Sequence, residues 1–174
     1  SITYPGDGVW KTTDGGASWE HLGLENTIAI GRIVVDPRNP DTVFVAAMGH
    51  VYSRNVDRGV YRSQDGGRSW AKVLYVSDIA GAIDLSIDPV DPTRIFAATW
   101  ERIRIPSERN FGGPGSGLWL STDSGTTWTR LGGGLPTPDT QPSRIGVAVA
   151  PSAPNVVYAV YYRKSDTALE GLFR

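Results

Sequence analysis

Hydrophobic positions along this chain come in short alternating runs, never at the three-to-four spacing of an amphipathic helix. Ile33–Val35 and Val43–Ala46 are β-branched runs separated by the Asp36–Asp41 turn, with its two prolines. Gly8–Trp10 and Trp19–Leu22 flank an Asp-Gly-Gly turn, where glycine supplies positive φ and the aspartate accepts backbone N–H groups. The pattern predicts four short antiparallel strands, here called A to D, in each unit of about fifty residues. The unit recurs. Gly8–Trp19 returns as Gly59–Trp70 and again as Gly117–Trp128, and a fourth copy opens at Gly171–Arg174. A second motif keeps step with it: Asp36–Phe44, Asp88–Phe96 and Ala150–Tyr158. Two motifs repeating in register predict an all-β fold, a β-propeller segment of about three four-stranded blades. The blades divide at 1–31 (the end of one blade), 32–83, 84–143 and 144–174 (the start of a fourth). Such an arc is too short to close, so remaining blades from a longer chain or self-association are expected to complete the ring.

Strand direction sorts the connections into two ends. The A–B turns and the C–D turns share one end; the B–C and D–A loops build the other. The B–C loops also differ in length, as ligand-binding loops do. The middle one carries an insertion, Glu101–Ser116, with Arg102, Arg104 and Arg109 beside Glu101 and Glu108. Along strand A, Ile33/Val35, Leu85/Ile87 and Val147/Val149 alternate as core positions, leaving Arg32, Asp84 and Gly146 at equivalent places toward the central channel.

Ser/Thr-x-Asp-x-Gly-x-x-Trp occurs as Thr12/Asp14/Gly16/Trp19, Ser63/Asp65/Gly67/Trp70 and Ser121/Asp123/Gly125/Trp128. This resembles the Asp-box (BNR) repeat, and with the proline motif the chain is similar to sortilin-type and "glycosyl hydrolase, BNR repeat" propellers; sialidases and xyloglucanases carry related boxes. The resemblance implies that Asp14, Asp65 and Asp123, with Trp19, Trp70 and Trp128, are structural turn residues on the end away from any ligand. It implies a secreted or periplasmic setting. It does not choose among enzymes, peptide receptors and assembly factors, which share the fold.

Composition removes several classes. A net charge of −1 leaves no basic footprint for nucleic acid, and no apolar run of the ~18 residues a membrane insertion needs is present. There is no cysteine, and His21 and His50 are not spaced as metal ligands, so no metal or cofactor is expected. The Phe111–Gly117 glycine run lacks the Lys-Ser/Thr ending of a phosphate loop. The expected partner is a peptide or carbohydrate on the B–C/D–A face. Candidate ligand contacts are Arg32, His50, Tyr52, Asp57, Trp100, Arg102 and Arg104. The alternative is part of a sialidase- or xyloglucanase-like glycoside hydrolase, for which Asp84 and Glu101 are the candidate catalytic carboxylates. Asp84 reads first as an inter-blade salt bridge with Arg32 and Glu101 as part of a solvated loop, and Trp100 reads equally as packing between blades.

Overall fold

The computed structural model describes residues 5–165 and 168–174. Its strands are β1 (Trp10–Lys11), β2 (Glu20–His21), β3 (Ile30–Asp36), β4 (Asn39–Ala47), β5 (Gly59–Ser63), β6 (Ala71–Leu74), β7 (Ala80–Ile87), β8 (Ile95–Glu101), β9 (Ile103–Ile105), β10 (Glu108–Asn110), β11 (Gly117–Ser121), β12 (Thr129–Arg130), β13 (Pro142–Val149), β14 (Val157–Arg163) and β15 (Leu169–Phe173). They form a β1–β2 hairpin, the sheets β3-β4-β5-β6 and β7-β8-β11-β12, and the sheet β13-β14-β15. Every pairing is antiparallel. The chain is all-β and of propeller type. The sheets open at Ile30, Ala80 and Pro142, two to four residues ahead of the expected 32, 84 and 144.

Three apolar clusters fill the spaces between successive sheets. Val9, Val45, Ala47 and Tyr61 join the first hairpin to the next sheet. Phe44, Ala46, Val60, Leu85, Ile95 and Ala97 lie between the two four-stranded sheets. Phe96, Ala98, Ile145, Val147, Ala159 and Tyr161 pack the last sheet. Leu85 packs against the preceding sheet, while Asp84 and Ser86 accept the Val147 and Val149 N–H groups of the following sheet at 3.1 and 3.0 Å, and Asp84 also reaches back to Arg32. Ile33 and Val35 depart from the expected burial, at 43% and 46% exposed. Only a two-stranded hairpin flanks them, where Leu85 meets a full sheet.

The Asp boxes close identical turns. Asp65 Oδ1 accepts the Ser63 hydroxyl at 2.8 Å and the Ser69 N–H at 2.9 Å, and its Oδ2 accepts the Ser69 hydroxyl at 2.6 Å. Asp14 and Asp123 repeat this with Thr12/Ser18 and Ser121/Thr127. Gly66 and Gly67 take φ of 72° and 98°, which side-chain-bearing residues rarely adopt. The box tryptophans differ. Trp70 donates to the Leu22 carbonyl at 2.7 Å and Trp128 packs at the edge of the central cluster, whereas Trp19 is 58% exposed.

Candidate functional site

Hydrogen bonds between loops fix the two ends of the arc. Gly66 N–H donates to Asp41 and Ser124 N–H to Thr93, so the A–B and C–D turns meet at one end. At the other end Asn55 N–H donates to Asp78, Arg102 to Ile79 and Arg104 to Val51, which joins two B–C loops through their backbones. The two B–C loops therefore lie side by side at this end.

The first B–C loop is built on Arg58, whose side chain has no exposed surface. Its Nη1 donates to the Met48 and Ile79 carbonyls and its Nη2 to those of His50 and Ser53. Burial lowers its pKa to about 10, so it stays charged. The clamp presents His50 and Tyr52, whose rings meet edge to face at 5.8 Å, with Ser53 Oγ 3.2 Å from His50 Nδ1. Tyr52 is 46% exposed. Asp57 is half-buried at the foot of the same loop. Sequence reasoning missed Arg58; its one signal was a charge set directly before the apolar Gly59–Tyr61 strand.

The insertion, read from the sequence as a charged loop, folds into a hairpin of its own, β9–β10. Glu101 organises it from below. The carboxylate is buried, its Oε1 accepting the Gly115 N–H at 2.6 Å and its Oε2 the Asn110 amide at 3.1 Å. A Cβ on Gly113 or Gly115 would stand 2.0 or 2.7 Å from that carboxylate. Trp100 Nε1 donates to the Phe111 carbonyl at 2.7 Å. Arg102, 5% exposed, has its guanidinium carbon 4.2 Å from the Phe111 ring centre and 5.1 Å from that of Trp100. Burial, followed by the charge of Arg104, lowers its pKa, and Tyr52 works the other way. Arg54 ties the hairpin down, reaching Glu108 at 2.8 Å and Asp78 at 3.2 Å.

Arg32 and Asp84 are brought together, Nε to Oδ1 at 3.3 Å, across two sheets. Asp84 and Glu101 are not. Asp84 is the cross-strand partner of Ala98, three residues from Glu101 along β8, about 10 Å at strand rise. Odd spacing also sends their side chains to opposite faces of the sheet. Among the described residues no three His, Cys, Asp or Glu side chains group as metal ligands.

Comparison with known proteins matches residues 7–166 to the Sortilin-Vps10 family (sortilin, neurotensin receptor 3). The xyloglucanase Xgh74A of Acetivibrio thermocellus is 28% identical over 143 residues, covering 78% of this chain and 15% of its own. The photosystem II assembly lipoprotein Ycf48 of Trichormus variabilis is 30% identical over 149 residues, covering 70% of this chain and 41% of its own. In structure the chain is similar to an ancestral GH74 enzyme, with a TM-score of 0.69, 21% identity, and coverage of 96% of this chain and 21% of that one. The GH74 xyloglucanase of Xanthomonas campestris gives 0.64 at 21% identity, covering 92% and 24%. The chain spans less than half the length of each of these relatives.

Proposed function

The chain belongs to the Sortilin-Vps10 family, and from that premise we propose that it is a β-propeller recognition module taking a peptide or glycan on the B–C/D–A loop face. The observation that carries this reading is the Arg104 N–H to Val51 carbonyl bond of 2.8 Å. It holds His50 and Tyr52 from one loop beside Trp100, Arg102 and Arg104 from the next. Buried Arg58 and Glu101 support the two loops from beneath, so the surface is set before a ligand arrives. Asp84 acts as an inter-sheet tie in this reading and Glu101 as the hairpin's anchor.

Similarity to xyloglucanases keeps part of a glycoside hydrolase as the second reading, with Asp84 as its candidate carboxylate and Glu101, buried and bonded at both oxygens, no longer its partner. Calorimetric titration with a xyloglucan oligosaccharide, alongside a reducing-end assay, separates the two. A recognition module binds without turnover, loses at least tenfold in affinity on Tyr52→Ala, and binds normally as Asp84→Asn. Turnover abolished by Asp84→Asn, with binding retained, would establish the hydrolase instead. Absence of any Tyr52-dependent binding to glycans or peptides removes the loop-face reading.

A further inference from the structure

Three arginines of the inserted hairpin carry no counter-charge. Among the described residues Arg102, Arg104 and Arg109 enter no ion pair. Glu108 and Asp78 are held by Arg54, Asp84 by Arg32, and Glu101 by Gly115 and Asn110. Arg104 and Arg109 are direct cross-strand partners, a placement in which like charges repel. Arg102 is more than nine-tenths buried, and its Nη1 is a buried donor with no hydrogen-bond partner. A guanidinium seated on aromatic rings keeps its donor edge for a planar acceptor, and a carboxylate fits that edge two bonds at a time.

Spacing narrows the ligand further. Residues 102 and 104 are two apart on the segment that enters β9, about 6.6–6.8 Å at strand rise, with Arg102 buried beneath the rings and Arg104 exposed. Carboxylates at alternate positions of another extended chain have the same separation. In the β9–β10 sheet the Arg104 N–H is spent on Val51, while the outer edge of β10 has no strand beside it. That edge is open to main-chain pairing with an incoming peptide.

We propose that Arg102, Arg104 and Arg109 form a receiving site for an extended acidic peptide bearing carboxylate side chains at alternate positions, one of which closes on Arg102. This rests on the loop-face reading above and names the ligand chemistry of that same surface.

The test is fluorescence anisotropy of the 174-residue chain with a labelled octapeptide, blocked at both ends and carrying Glu at alternate positions. Its control is the same peptide with Gln. The Glu peptide binds and the Gln peptide binds at least tenfold more weakly, with an affinity that falls as salt rises. Arg104→Gln and Arg109→Gln, both at exposed positions, each weaken binding about three- to tenfold. Arg102→Lys keeps the charge but loses the planar fork and weakens it more than tenfold. Arg38→Gln, at the opposite end of the arc, changes nothing. Equal binding of the Glu and Gln peptides, or an Arg38→Gln loss as large as that of Arg104→Gln, overturns the proposal. So does an acidic trisaccharide of galacturonate that binds through these arginines while the peptide does not. If the Glu peptide fails but Tyr52-dependent binding of neutral xyloglucan persists, this site falls and the loop-face reading stands; if every probe fails, both fall.

Discussion

Protonating Asp14, Asp65 or Asp123 removes the acceptor on which its turn closes. Hydroxyls of Ser18, Ser69 and Thr127, followed by the N–H groups of the same residues, hold all three carboxylates well below the ordinary range, Asp123 at about 2. A depressed native value means that the folded state binds the proton less readily than the unfolded chain. The boxes therefore stabilise fully above the unfolded carboxylate value of about 4, and that stabilisation drains away as pH falls toward 2. Denaturant unfolding across this range should show stability dropping on acidification. Asp65→Asn should be less stable than the parent at pH 7 yet lose less between pH 6 and 2.5. An unchanged acid response in Asp65→Asn would assign the effect to other groups. Glycines divide in the same way. Gly115→Ala drives a methyl against Glu101 and Ala80 and should cost about 1–3 kcal/mol, measurable as a lower denaturant midpoint. Gly132→Ala meets nothing within 4 Å and should be neutral or stabilising by up to about 1 kcal/mol.

Sheets and hairpins carry unequal loads. Phe44, with no exposed surface between the two four-stranded sheets, should cost about 3–5 kcal/mol as Phe44→Ala. Trp19→Ala, at the same repeat position as Trp70 and Trp128 but 58% exposed, should cost far less than Trp70→Ala; thermal melts of the three variants decide the order. Here the limits of sequence reading are visible. Strand order and the Asp-box turns were legible because a repeated motif states the same local geometry three times. The exposure of Ile33 and Trp19 was not, since a repeat assigns each copy the same neighbours and the first hairpin lacks them. Glu101 and Arg102 read as charges on a solvated loop; nothing local says that a carboxylate folds inward onto two glycines. Arg58 was hidden for the same reason: its partners are carbonyls, which every residue has.

Across the whole molecule, exposed apolar side chains gather at both ends of the arc, among them Leu169 and Leu172 on the last sheet, and the first end holds a trough. Val9, Trp10, Trp19, Leu22, Ile33 and Val35 line an apolar trough of about 360 Å³, with Trp10, Trp19, Ile33 and Val35 each more than two-fifths exposed. An open apolar face of this kind favours association. Light scattering of this 174-residue chain over a concentration series should show a mass above the 18.8 kDa monomer, and Ile33→Lys should lower it. A concentration-independent monomer that binds no hydrophobic dye would show the face to be inert. The bonds from Val147 to Asp84 and from Val149 to Ser86 have a different use. These two amides are sealed by side chains of the neighbouring sheet, not by a partner strand. Their deuterium uptake therefore times the separation of one blade from the next, while amides paired within β13 and β14 time the melting of the blade itself. Two clocks, one for undocking and one for unfolding, are thus written into the same strand, and any ligand that bridges the sheets slows the first before the second.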